Sequence, residues 1–323
     1  MDKNQKQKSL IGKRIEKKDK KKVFVILDTT DHSLNYAKKI ISLLFPIEVV
    51  LVFYIKDSFS IEGKIYKNIN LIFGPNDSCI NLLPYDKEIS KKVEKQINLL
   101  GKNTFFESTD KKILFSSKNN IKNILKNRKV QTPIFQLLGN READETYLSF
   151  TQPSRIFSKK NDFYSGKINS IKQMNKVFKK INHQKRSNYL IEEYIEGQDI
   201  YAFVFKYNDK IIVYSVVEQE EQSKKYLEKI KDNDVEFATG KRYTKLEGDL
   251  VKEVKEKSKD FFEIFKFEKF ALLHFKNHQK RGLYFLNAVI DHTILDDSRK
   301  NIVKNIFKKE GLSFDNFAKR IIF

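Results

Sequence analysis

The richest run of chemistry-bearing residues is Glu192-Glu193-Tyr194-Ile195-Glu196-Gly197-Gln198-Asp199, which follows Leu190-Ile191. A carboxylate at the end of a buried strand can accept from two vicinal hydroxyls, and the amides and carbonyls of a hinge can read the edge of a planar base. Taken alone, an acidic strand end is more often an exposed turn. Three further sets are weaker. His274, His278 and His292 with Asp291 fit no zinc spacing and read as surface turn histidines. Glu218-Gln219-Glu220-Glu221 reads as capping or preceding a helix through Tyr226. The lone cysteine, Cys79, has no motif to make it a nucleophile and reads as buried.

The elements that would position these groups are legible from hydrophobic pattern. The chain has 323 residues, about two domains' worth, with 40% apolar and 33% charged residues, so it reads as globular with no run able to span a bilayer. The lysine-rich start lacks a secretory apolar region, which makes a cytoplasmic location the expectation. The net charge is +21, but residues 1–22 hold ten basic and three acidic residues. The excess is carried by 54 lysines and only nine arginines, so it does not read as a nucleic-acid interface. Residues 1–20, with no hydrophobic period, are expected to be a disordered basic arm. Val23-Phe24-Val25-Ile26-Leu27 predicts a buried parallel strand, Leu34 to Leu44 a helix ended by Pro46, and Val49 to Phe53 the next strand. Asn70-Leu71-Ile72-Phe73-Gly74 predicts a third strand, and Ile89, Val93, Ile97 and Leu100 a helix behind it.

These patterns give an N-terminal doubly wound α/β domain over 21–115, followed by α+β texture. In the second part, a Lys/Asn-rich helix with Ile121, Ile124 and Leu125 on one side ends before Pro133. Strands are expected at Ile134–Leu138 and Arg155–Ser158, and a helix at Ile171–Ile181. A hairpin is expected around Asn208-Asp209, a helix over 250–266, and a strand pair at Phe270–Phe275 and Leu283–Val289.

In this order the segments resemble ATP-grasp enzymes of the D-alanine–D-alanine ligase type. Lys118 opening a helix before Val130-Gln131-Thr132-Pro133, then Ile156-Phe157-Ser158-Lys159, then the acidic hinge, and finally Gly311-Leu312-Ser313 near the end, follow the family's succession from about Val23 to Phe323. The resemblance implies two α+β subdomains, 116–200 and 201–323, around a nucleotide cleft. It also implies ATP as the cofactor, with Lys118 and Lys159 on phosphate and Glu192, Glu193, Ile195 and Asp199 on adenosine. An active member would join a small-molecule amino acid to another through an acylphosphate, as in bacterial cell-wall synthesis. A homodimer is admitted as a partner.

The chain departs from that pattern where the family holds magnesium. Aligning the last strand pair puts Leu272 at the family's Arg, and His274, Asn287 and Val289 at its Asp, Glu and Asn. Magnesium asks for carboxylate and amide oxygens, and no carboxylate remains at these three positions. The phosphate-covering loop, Lys160 to Lys167, keeps one glycine, and the N-terminal motif is replaced by Asp28-Thr29-Thr30-Asp31-His32-Ser33. Ser298 stays at the family's distance for a substrate-holding serine. The expectation is a divergent member, nucleotide-binding at most and inactive as a ligase. The alternatives are an active carboxylate–amine ligase with Asp291, Asp296 or Asp297 as relocated metal ligands, and a non-enzymatic binding or scaffold protein.

Overall fold

The computed structural model describes residues 21–74, 76–84, 88–102, 104–139, 141–158, 165–181, 183–220 and 241–322. The expected arm, Lys159 and the loop around it therefore lie outside the described residues, as does the chain from Glu221 to Tyr226. The chain is divided into two compact units, one comprising 1–83, 95–104 and 322–323, the other 84–94 and 105–321.

In the first unit, β1 (Lys22–Leu27) is buried from Val23 onward, as a strand covered on both faces must be. It leads into α1 (Asp31–Leu44), where the Thr30 hydroxyl caps Ser33 N and Asp28 in turn accepts from the Thr30 amide and hydroxyl. The residues that replace the family's N-terminal motif thus serve as a helix cap. β2 (Glu48–Ile55) pairs in parallel with β1, as expected. It continues through a hairpin into β3 (Ser58–Ile61) and β4 (Lys64–Tyr66), which the hydrophobic pattern did not announce. Both connections place two residues at positive φ, Lys56-Asp57 and Glu62-Gly63, the backbone a tight two-residue hairpin requires.

The third parallel strand is not Asn70–Gly74. It is β5 (Ser78–Asn81), paired in parallel with β1, giving the order β4-β3-β2-β1-β5. At the predicted place, the Asn68 side chain accepts from Asn70 N and winds a short 3₁₀ turn that leaves Leu71 71% exposed. Cys79 lies in β5 and is buried, as expected. A helix, α2 (Glu88–Leu99), forms where one was expected, with Val93 and Ile97 buried.

The second unit opens with α3 (Thr109–Phe115) and α4 (Lys118–Asn127). α4 stops well before Pro133, at Lys129 with φ 57. A three-stranded antiparallel sheet follows, built from β6 (Phe135–Leu137), β7 (Ser154–Ser158) and β8 (Tyr189–Glu193) in the order β6-β8-β7. Its helices are α5 (Ala143–Ser149) and α6 (Ile171–Phe178). Beyond the hinge, β9 (Gln198–Tyr207), β10 (Lys210–Glu220) and β11 (Lys241–Lys245) form antiparallel pairs, with Asn208-Asp209 at positive φ in the expected hairpin. Glu218 belongs to β10, opposite Tyr243, and the helix expected after it lies outside the described residues. After α7 (Asp249–Ile264), β12 (Phe270–His278) and β13 (Gly282–Val289) complete the order β11-β10-β9-β12-β13. The chain closes with α8 (Asp297–Lys309) and α9 (Phe314–Ile322).

Alternation along β9 explains the layers. Ile200, Ala202 and Val204 face a core shared with Phe261, Phe262 and Phe265 of α7 and Ile121 and Leu125 of α4. Phe203 and Phe205 face the other way, against Phe270, Phe307 and Phe317, with ring centroids from 4.6 to 6.4 Å apart. Each buried Phe contributes about 2 kcal/mol of transfer free energy, so the two aromatic faces clamp the strands between helices. Among the described residues no helix is long and apolar enough to cross a membrane.

Candidate functional site

The site is confined to the second unit, where α4, β7, β8, β9, β12, β13 and α8 bring charged groups together. Glu192, in the middle strand of the small sheet, is 1% exposed. Its Oε2 lies 2.7 Å from Lys122 Nζ, and its Oε1 accepts from Nε and pairs with Nη2 of Arg155, its cross-strand neighbour on β7. Burial alone would raise this carboxyl, but Lys122, Arg155 and Lys118 outweigh it and hold it below the usual range. Glu193 is also buried and accepts from Arg281 Nη1 at 2.5 Å.

Lys118 and Lys122 are one turn apart on α4 and so share a face. Lys122 pairs with Glu192, whereas the Lys118 ammonium lies 4.1 Å from the centroid of the Phe157 ring and meets no carboxylate of the described residues at bonding distance. Burial, opposed by Glu192 and reinforced by Arg155, Lys122 and Arg299, pulls the Lys118 amine down to about 8.

Across the hinge, Gly197 holds φ at +136°, and a Cβ there would lie 2.1 Å from the Asn277 carbonyl oxygen. β9 can therefore start beside β12 only with glycine at this point. The close approach sets Asp199 against two β12 side chains. Its Oδ1 lies 2.7 Å from His274 Nε2, and its Oδ2 accepts from Lys276 Nζ at 2.8 Å. Burial pushes the Asp199 carboxyl up, but His274 and Lys276 reverse this and bring it to about 2. The His274 ring stacks on Tyr201 with centroids 4.6 Å apart. Tyr201 and Tyr243 both hydrogen-bond Glu218, and burial with that carboxylate holds both phenols above their usual range, Tyr243 at about 12. Ile195 is buried against Tyr284 and Leu286.

The three residues that the sequence resemblance sets at the family's metal positions lie side by side. His274 and Asn287 are cross-strand neighbours, and so are Leu272 and Val289. All four line a cavity of about 190 Å³ together with Tyr201, Arg299 and Ile302. Among the described residues the cavity wall contains no carboxylate, and Val289 has no donor atom, so these residues do not fit a magnesium ion. Of the aspartates offered as relocated ligands, Asp291 and Asp296 do not line it. Asp291 is engaged in capping, accepting from Thr293 N at 3.0 Å and from its hydroxyl at 2.5 Å, while Asp296 lies 3.6 Å from Arg299 Nη1. The side chains of Asp297 and Ser298 lie outside the described residues. Among the described residues no three His, Cys, Asp or Glu side chains gather to hold a metal. The expected surface histidines divide. His278 Nδ1 accepts from the amides of Lys280 and Arg281 in the β12–β13 turn, His292 is buried against Phe106, and His274 lies in a strand.

A nucleotide meets a related difficulty. The residues implied as its polar contacts, Glu192, Glu193 and Asp199, already have cationic partners inside the protein. Ligand hydroxyls would have to displace Lys276 or His274 from Asp199 and would find both oxygens of Glu192 covered. Lys122, Arg155, Lys276 and Arg299, which shape this electrostatics, were not singled out from the sequence. The available signal was the four-residue spacing of Lys122 from Lys118 and the single basic residue in the run before Ile156.

No protein-family model and no curated sequence matches the chain. Solved structures do. D-alanyl-alanine synthetase A from Vibrio cholerae is 11% identical with a TM-score of 0.67, covering 94% of this chain and 97% of its own. D-alanine–D-alanine ligase from Bacillus anthracis, complexed with ATP, is 14% identical with a TM-score of 0.64, covering 93% and 95%. VanG D-Ala:D-Ser ligase from Enterococcus faecalis is 14% identical with a TM-score of 0.61, covering 94% and 98%. At these identities the likeness is one of fold, and along nearly its whole length this chain has the ATP-grasp fold of D-alanine–D-alanine ligases.

Proposed function

We propose that the chain is a divergent relative of the D-alanine–D-alanine ligases that no longer joins amino acids, engages nucleotide at most, and does so without magnesium. The observation that carries this reading is the 190 Å³ cavity where His274, Asn287 and Val289 stand together with Arg299 and, among the described residues, without a carboxylate. Acyl activation by ATP needs divalent charge against the reacting phosphates, and that demand is met in the transition state, where stabilisation counts. Neutral and cationic side chains at the same place cannot supply it.

The ion pairs around the hinge favour the same reading. Asp199 and Glu192 stabilise the protein itself, and a ligand would gain from them only what exceeds the loss of those pairs. Two measurements test the proposal on the full chain. Phosphate release from ATP with D-alanine and magnesium is expected at background, and calorimetric titration with ATP is expected to give the same weak or absent heat with magnesium as with EDTA. D-alanine-dependent phosphate release above background would overturn the reading in favour of an active ligase, and a magnesium-dependent nucleotide affinity would overturn its metal-free part.

A further inference from the structure

The cavity that lacks metal ligands is not an inert gap. Among the described residues its one fixed charge is positive, Arg299, and that guanidinium is only partly used there: Nη1 donates to the Thr293 carbonyl at 3.3 Å and stands 3.6 Å from Asp296, leaving other donors of the fork. The Asn287 carboxamide lines the same cavity and makes no hydrogen bond among the described residues. Asn287 also borders the closed crevice lined by Lys118 and Lys122.

The surrounding acids are already matched. Glu192 faces Lys122 and Arg155, Asp199 faces His274 and Lys276, Asp296 stands near Arg299, and Glu218 is held by Tyr201 and Tyr243. None of the four lines the cavity. A partly free guanidinium fork and an amide without a hydrogen bond among the described residues form a donor set complementary to a small oxyanion.

We infer that the Arg299–Asn287 cavity binds a small oxyanion, a phosphoryl or carboxylate group, directly and without a divalent ion. The inference rests on the reading that magnesium is not held here, and it reverses the charge of the ligand the position takes. With no metal to bridge them, protein donors contact the anion themselves, and an added carboxylate in the wall repels it.

The test is calorimetry on the full chain in EDTA with inorganic phosphate, pyrophosphate and malonate as probes. Binding of phosphate or pyrophosphate identifies a phosphoryl group, and binding of malonate alone a carboxylate; either supports the inference if added magnesium leaves the affinity unchanged. Arg299→Gln and the near-isosteric Asn287→Asp are each expected to weaken binding about tenfold or more, with melting temperatures close to that of the parent. The Asn287 variant keeps the test decisive if Arg299→Gln fails to fold. No binding of any probe in EDTA, binding that requires magnesium, or affinities unchanged in both variants, as for anions gathered by the basic surface, would overturn it. Ligase turnover in the phosphate-release assay is a separate outcome, which sinks the proposed function whatever the anions do.

Discussion

Glu192 is held by two cations at 1% exposure, and removing its charge would strand both in the interior. Glu192→Gln is therefore expected to lower stability by about 3–5 kcal/mol, read from urea denaturation at neutral pH. Because its folded pKa lies below the unfolded value, its stabilisation is complete above roughly pH 4.3 and is lost as pH falls through the folded value. The variant should accordingly lose less stability than the parent on acidification. Lys118 runs the other way. Its folded pKa of about 8 lies under the unfolded one, so the unfolded chain binds more protons between about pH 8 and roughly 10.4, and stability rises across that window. Lys118→Met should be more stable than the parent at pH 7 by about 2 kcal/mol and should lose this alkaline rise; a destabilised variant would mean that the ammonium has a partner. The acids at 192 and 199 were legible in the sequence as a pair of interest. Their partners were not, because Lys122 is one of 54 lysines and Lys276 and Arg155 meet their carboxylates only once strands pair.

At the scale of elements, the hinge between β8 and β9 depends on Gly197. A methyl group there meets backbone, the Asn277 carbonyl oxygen at 2.1 Å, and no side chain that could swing away. Gly197→Ala should cost about 3 kcal/mol through positive φ and displacement of β12 together. Gly63→Ala, at a positive φ with open space around it, should cost about 1 kcal/mol, which makes it the control for φ strain without collision. Equal losses in the two variants by denaturant midpoint would show that β12 can move aside. Elements whose signal is local were legible: α1 from its period and cap, and the β9–β10 hairpin from Asn208-Asp209. β5 was not, since Ser78-Cys79-Ile80-Asn81 carries only two apolar residues and is buried by its neighbours. The apolar Leu71-Ile72-Phe73 drew the assignment instead, although the Asn68 cap bends that stretch into a turn.

For the molecule as a whole, the proposed reading separates the ATP-grasp framework from the chemistry it would serve. The strands that carry the metal positions are clamped by aromatic faces that do not depend on what stands at 274, 287 and 289. Restoring the family's residues with His274→Asp, Asn287→Glu and Val289→Asn should therefore leave the fold and change its response to metal. Without magnesium the triple variant should melt below the parent, because a carboxylate at 274 would face Asp199, which now lies 2.7 Å from His274 Nε2. Magnesium should raise its Tm, since an ion bound only by the folded state at one hundred times its Kd stabilises by about 2.7 kcal/mol. The parent's Tm should not move with magnesium. Its turnover should stay at background, because losing one strong electrostatic contributor commonly costs about 3 kcal/mol, roughly a hundredfold in rate, and here several are replaced together. A parent Tm that rises with magnesium as much as the variant's would show that the chain holds the ion through other residues, and the argument from 274, 287 and 289 would fail at its base.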